Sequence, residues 1–379
     1  MERIEFFKHN IGPREIRDVN RALRELFLTT GREVERFERA FADFLGLPHA
    51  VGVTSCTGAL HISLSGLEVG SGDEVITTPL SFAATTLAIL HAAATPVFVD
   101  VEPDTGNLDA SRIEAAITPR TRVILPVHLY GQMCDMRAIR RIARKHGLAV
   151  VEDAAHALEA ARDGVRVGEL GDAACFSFYP TKSITCGEGG AVATTSAELA
   201  GKLRLLRYHG MNKTAAERYG KDQVEYEITC LGWKYNMDNI KAALLAGQLE
   251  RAWKFHGKRA RLAAHYRKKL SGVPGIRLIE ELPESRHAWH LFTLLVPPEK
   301  RAEFVRRIKA AGIGVSINYI PIHLLQFFRE KFGFKPGMFP AAEAIGASAV
   351  CLPLYPKLTF READTVIAAV KALARDLKF

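Results

Sequence analysis

No C-x-x-C pair occurs among these 379 residues, and the six cysteines (Cys56, Cys134, Cys175, Cys186, Cys230, Cys351) lie far apart. This spacing argues against a zinc module or a disulfide framework and for reduced, mostly buried thiols. No apolar run reaches the length of a membrane span, and the first eight residues carry no signal-peptide core. The expectation is a cytoplasmic protein with no membrane partner. Repeats, low-complexity tracts and Gly/Ser linkers are missing too. The charge excess is modest, +9, and the basic residues are spread along the chain rather than gathered into a tail, so no nucleic-acid partner is expected. What is present, 48% apolar and 25% charged residues, is ordinary globular composition. The chain is long enough for two domains, or for one large domain with a smaller satellite.

Short apolar runs alternate with helical patterns over the first 200 residues. Strands are expected at 50–53, 74–77, 96–100, 122–127, 148–151 and 191–194. Helical stretches are expected at 57–67, up to about His91, at 109–117 and at 136–146. Such alternation predicts βαβ units in an α/β fold, with a mostly parallel sheet sandwiched by helices. From residue 238 to 270 the pattern becomes one long helix, with Ile240, Leu244, Leu249, Trp253 and Tyr266 near helical spacing. The remainder, including 290–296 and 313–320, mixes strand-like and helical pieces. We therefore expect a large α/β domain over 1–250 and a small C-terminal α+β domain over 251–379.

The chemistry is concentrated around Lys182, which follows Phe176-Ser177-Phe178-Tyr179-Pro180-Thr181 and precedes the glycine-rich run Cys186-Gly187-Glu188-Gly189-Gly190. Upstream, Val150-Val151-Glu152-Asp153 reads as a buried strand ending in a carboxylate, where α/β sheets place ligand-binding residues. A lysine able to form a Schiff base, with an acid able to hold a pyridine nitrogen protonated, is what pyridoxal phosphate chemistry requires. Thr54-Ser55-Cys56-Thr57-Gly58 opens a helix whose small residues leave amides free for a phosphate, although a plain Ser/Thr cap explains the same residues. Ser177 is either a hydroxyl for that phosphate or a strand serine bonded to backbone. His156 is placed to reach a cofactor hydroxyl. Glu152 and His156 stand four apart, but no third ligand follows at metal-binding spacing, so no metal is expected. Phe82, just past a strand end, is either a core aromatic or a ring that stacks on a planar cofactor.

These segments resemble the DegT/DnrJ/EryC1/StrS family of PLP-dependent sugar aminotransferases, which has the aspartate-aminotransferase (type I) fold. The resemblance runs from Leu28-Thr29-Thr30-Gly31-Arg32-Glu33-Val34 through Gly72-Asp73-Glu74-Val75-Ile76, Ala94-Thr95-Pro96-Val97-Phe98-Val99-Asp100 and Glu152-Asp153-Ala154-Ala155-His156-Ala157. It continues with the Lys182 segment and Gly232-Trp233-Lys234-Tyr235-Asn236, and ends at Cys351-Leu352-Pro353-Leu354-Tyr355-Pro356. It implies that Lys182 carries the cofactor, Asp153 partners the pyridinium, His156 meets the ring hydroxyl and Phe82 stacks on the ring. Thr57, Gly58 and Ser177 would form the phosphate cradle. Asn236 would reach the phosphate of the neighbouring subunit, implying an obligate homodimer with shared sites. The alternative is that Asn236 merely caps the long helix beginning near Asp238. The matching segments also put Thr30, Gly31, Tyr319 and His323 at the substrate.

Within that family, Ser183-Ile184-Thr185-Cys186-Gly187-Glu188-Gly189-Gly190 is more similar to enzymes aminating C4 of a nucleotide-linked 4-keto sugar. C3-aminating relatives more often carry aspartate where Glu188 stands. His287-Ala288-Trp289-His290-Leu291-Phe292 and Tyr319-Ile320-Pro321-Ile322-His323 also resemble bacterial C4 enzymes. Asn318 departs from many of these, which have histidine there, and leaves the exact sugar contact open. The resemblance implies L-glutamate as donor and a UDP- or dTDP-linked 4-keto-6-deoxy sugar as acceptor. A C3-keto sugar, a cyclitol or another keto acceptor, and a cofactor-binding regulator without turnover, are the alternatives. A dehydratase reading fails because those relatives replace the lysine with histidine.

Overall fold

The computed structural model describes residues 3–213, 218 and 225–379. Its centre is a seven-stranded sheet built from β1 (His49–Val53), β2 (Glu74–Thr77), β3 (Thr95–Phe98), β4 (Thr121–Leu125), β5 (Ala149–Asp153), β8 (Ala173–Ser177) and β9 (Gly190–Thr194). The spatial order is β1-β9-β8-β5-β4-β2-β3, parallel from β8 through β3, with β9 antiparallel to both of its neighbours. Period-2 alternation splits each strand between two cores. Val75, Val123, Leu125 and Val151 join the core on one face, and Ile76, Ile124 and Val150 the core on the other.

Helices α1 (Pro13–Ala22), α2 (Arg32–Leu45), α3 (Cys56–Gly66), α4 (Ala84–His91), α5 (Met136–His146), α6 (Ala197–Leu206) and α7 (Asn239–Leu249) surround this sheet. Leu60, Ile62 and Leu64 of α3, Ile89 of α4 and Leu203 of α6 fill one face; Phe37 and Phe41 of α2, Ile139 of α5 and Leu245 of α7 fill the other. This is the sandwiched type I architecture. Helix α5 starts where Asp135 accepts the amide of Ala138 at 2.9 Å and stops at Gly147, whose φ of 66° suits a residue without Cβ.

Two local expectations are corrected. Residues 109–117 form two short 3₁₀ turns, Ala110–Arg112 and Glu114–Ala116: Asp109 caps the first through the Ser111 amide, and of this stretch only Ala110 and Ile113 are buried in the core, with Ala116 and Ile117 at its edge. The long helix expected over 238–270 is two helices, α7 and α8 (Ala252–Leu270). The break is pinned by α1: Arg14 grips Glu250 at 2.6 and 2.7 Å, and Arg251 bonds Glu15 while turning back onto the Gly247 carbonyl at 3.0 Å. The proposed domain division at 250/251 lies in this break.

Beyond it, β10 (Arg277–Leu278), β12 (Phe292–Leu295) and β13 (Ala349–Leu352) make an antiparallel sheet. Its core gathers Tyr266 of α8, Phe292, Phe304 and Val366. Residues 313–320 contribute single bridges, Ile313 to Ile4 and Ser316 to Cys351, and otherwise run as a loop. The pairs β6 (Ala161–Arg162), β7 (Val165–Arg166) and β11 (Ser285–Arg286) form a third, small sheet joining the two halves of the chain.

Candidate active site

The C-terminal ends of β2, β4, β5 and β8 and the start of α3 open onto one cavity of about 580 Å³, within the range of small-molecule sites. Asp153 ends β5 at its floor. Its backbone is tied to neighbouring loops by the Pro126 carbonyl at 2.9 Å and the His128 amide at 3.1 Å. Its carboxylate accepts the Thr85 hydroxyl at 2.8 Å and the Ala155 amide at 3.2 Å. Burial pushes its pKa above the ordinary carboxylate range, and the two hydrogen bonds and the Lys182 charge oppose that rise. Strand alternation sends Glu152 the other way, where it binds His128 at 2.8 Å and the Gly168 and Gly171 amides in a fully buried anchor. Two adjacent carboxylates thus divide between structure and cavity.

Lys182 enters from the loop after β8. The residue is half-buried as a whole, yet its amine end is enclosed, and burial lowers its pKa to about 8. At neutral pH a useful fraction of the amine is therefore unprotonated and nucleophilic. His290 Nε2 stands 3.4 Å from Nζ. The His156 ring lies 4.3 Å from that of His290, and burial holds both imidazoles neutral. His156 Nδ1 accepts the Tyr130 amide at 3.3 Å, so its proton sits on Nε2, which is 3.1 Å from the Tyr319 hydroxyl. Phe82 is 63% exposed at the cavity mouth, its ring 6.1 Å from that of Tyr319.

At the opposite end, Ser55 caps α3 by accepting the Gly58 amide at 3.0 Å. The first backbone bond within the helix is from Ala59 to Ser55, so the Cys56 and Thr57 amides precede it. The positive end of the helix thus faces the cavity beside Ser177 and Thr57. Gly190 makes this possible: a Cβ there would stand 2.5 Å from the Ser55 carbonyl carbon. Gly58 packs beneath on Tyr235, with its own amide taken by Ser55.

The structure thus brings Thr57, Phe82, Asp153, His156, Ser177, Lys182 and Tyr319 to one cavity. Thr30 and Asn236 line a second one of about 180 Å³, with Arg204, Arg207, Tyr208 and Lys213. Asn236 donates to the Thr30 hydroxyl at 2.8 Å, and its Oδ1 is buried without a partner among the described residues. Asp238 caps α7 through the Lys241 amide at 2.8 Å, so Asn236 is not the cap. Gly31 precedes α2 beside Asn239. His323 is apart from both cavities: it is wholly buried, 3.0 Å from Glu343 and packed on Phe339. Sequence reasoning did not single out Thr85 and His290. Thr85 is one turn from Ser81 at the entry of α4, a spacing that marks it only once the strand end it faces is known.

An enclosed amine of lowered pKa, a buried carboxylate and a helix N-terminus flanked by hydroxyls fit an aldehyde, a pyridine nitrogen and a phosphate, the three functions of pyridoxal phosphate. The comparisons agree. Residues 9–371 match the DegT/DnrJ/EryC1/StrS aminotransferase family. The chain is 42% identical over 371 residues to the spore coat polysaccharide biosynthesis protein SpsC of Bacillus subtilis, covering 96% of this chain and 95% of the relative. The structure of S. venezuelae DesV, solved with a ketimine intermediate, is 38% identical with a TM-score of 0.91 over 99% of both chains. Helicobacter pylori PseC, an aminotransferase involved in the biosynthesis of pseudoaminic acid, is 28% identical with a TM-score of 0.92, covering 99% of this chain and 100% of that one. The chain belongs to the DegT/DnrJ/EryC1/StrS aminotransferase family and is a pyridoxal phosphate-dependent sugar aminotransferase of the type I fold.

Proposed function

We propose that the protein transfers the amino group of L-glutamate to C4 of a UDP- or dTDP-linked 4-keto-6-deoxy sugar, in the cytoplasm, for glycan or cell-surface sugar biosynthesis. The observation that carries this reading is the single cavity shared by the Lys182 amine, the Asp153 carboxylate and the start of α3. When bound, pyridoxal phosphate supplies the electron sink and holds the amino group between donor and acceptor. Lys182 would hold it through Nζ, and the free amine would move a proton at that atom to and from the substrate carbon. With the group bound, Asp153 would keep its ring nitrogen protonated, His156 would offer its Nε2 proton to the ring hydroxyl, and Phe82 would cover the ring. Thr57, Gly58 and Ser177 hold the phosphate, Gly58 by shaping the helix start. Tyr319 lies on the sugar side.

Glu188 lines the same cavity, which supports C4 over C3 chemistry on the family resemblance. The similarity to SpsC, a spore coat polysaccharide biosynthesis protein, and to PseC, of pseudoaminic acid biosynthesis, supports a product destined for a polysaccharide or glycan. Asn236 lies outside its own chain's Lys182 cavity, beside Arg204, Arg207 and Lys213. That position supports a homodimer in which Asn236 completes the partner's phosphate site and Arg204 and Lys213 meet the substrate diphosphate, Arg207 being paired with Glu38 in the interior. Thr30 and Gly31 belong to this shared boundary. His323 acts from behind, through the packing of its loop.

The test is incubation of the purified protein with L-glutamate and UDP- or dTDP-4-keto-6-deoxy sugars, with mass detection of the amino product. Product only from a 3-keto sugar or a cyclitol would transfer the reading to that acceptor. A cofactor spectrum unchanged by glutamate would leave a regulator without turnover.

A further inference from the structure

We propose that His290 is the positioning residue of Lys182, with its neutral Nε2 accepting a hydrogen bond from the amine and fixing where that amine points. The inference rests on how His290 is delivered. Its segment comes from the small C-terminal half, and Arg259 of α8 holds it by donating to the Trp289 and Ala288 carbonyls, each at 3.1 Å. Arg259 is itself fixed by Glu159 at 2.9 Å, both side chains almost wholly buried. The same segment is stitched to the large domain by the Ala288 amide on the Gly131 carbonyl at 2.7 Å and the Leu291 amide on the Tyr130 carbonyl at 3.2 Å. Trp289 takes φ of 51° within this clamp, a left-handed value that an unrestrained tryptophan avoids. Four hydrogen bonds, two of them from Arg259, thus hold the backbone that presents the His290 imidazole to the amine.

The titratable and charged groups facing this pair are His156, Asp153 and Cys56, Glu188 and Tyr319 across the cavity, and Arg259 and His287 behind His290. His290 is enclosed and carries no charge, so it meets an ammonium as an acceptor and not as a rival cation. Its proton then resides on Nδ1. A hydrogen bond to the charged form of the lysine raises its pKa against the lowering by burial. His290 thereby keeps the free amine aimed into the cavity when it is not attached to cofactor.

The test uses protein stripped of cofactor, so it does not depend on turnover. Trace acetylation across pH, with quantitation of the peptide containing Lys182, reads the titration of this one amine. Wild type should titrate below the ordinary lysine value, as its burial requires. His290→Phe removes the acceptor but keeps the burial, and should move the midpoint down by about one unit, a tenfold change. His290→Gln, whose Oε1 reaches the position of Nε2, should restore the wild-type midpoint. Equal midpoints in wild type and His290→Phe, or equal shifts in both variants, would overturn the proposal. Should His290→Phe not fold, nitrogen NMR of histidine-labelled wild type decides: the proposal requires an unprotonated Nε2 on His290, and an Nε2–H tautomer contradicts it. Failure here leaves the aminotransferase reading intact, since that reading is decided by product formation.

Discussion

Thr85 donates its hydroxyl to Oδ2 of Asp153 at 2.8 Å, and Ser81 Oγ lies 2.7 Å behind it. A hydroxyl has one proton to give, so with Thr85 bonded to the carboxylate, Ser81 is the donor to Thr85. This relay from the β2–α4 connection counters the burial that would otherwise keep Asp153 protonated.

Removing the relay should weaken the carboxylate. Thr85→Val forfeits a hydrogen bond to a charged group, worth about 1.5–3 kcal/mol. Asp153→Asn goes further and should slow the reaction with glutamate by about 10²–10³-fold while cofactor stays bound. Single-turnover absorbance on adding glutamate measures both. Near-normal rates in Asp153→Asn would reduce Asp153 to a strand-end acid holding nearby amides.

Gly190→Ala tests the cofactor's phosphate end. Its methyl would meet the Ser55 carbonyl carbon at 2.5 Å and the Cys56 nitrogen at 2.6 Å, both backbone atoms that cannot swing aside. The expected result is a stability loss of about 1–3 kcal/mol from overpacking, with weaker cofactor binding because the start of α3 is displaced. Thermal unfolding and cofactor titration read the two effects. Wild-type affinity in the variant would show that the α3 start does not hold the phosphate.

Mixing subunits tests the shared site. Lys182→Ala and Asn236→Ala chains should each be inactive or weakened alone. Random exchange makes about half of the dimers hybrids with one intact site each, so about a quarter of all sites should recover. No recovery after verified exchange would place both residues in the same chain's site and sink the composite arrangement.

Much of this was legible in the sequence because its causes are local. Asp135 and Gly147 mark both ends of α5, and apolar runs ending in Glu152-Asp153 announce a strand with a polar tip. What was illegible has distant causes. The α7–α8 break is imposed by α1, 236 residues away in sequence, while the helical spacing runs straight through it. Thr85 and His290 gain their significance only from the groups they meet, 68 and 108 residues away in sequence. His323 was placed at the substrate by the resemblance of its segment, but it lies buried apart from both cavities, its Nε2 3.0 Å from Glu343 and its ring against Phe339.

The central claim is that Lys182 alone carries the cofactor. Borohydride reduction of the cofactor-loaded protein, followed by peptide mapping, tests it most directly. The account predicts the label on the peptide containing Lys182. It also predicts that Lys182→Ala folds and binds cofactor without a covalent link, since the lysine acts through its amine and not through core packing. A label on any other lysine would contradict it.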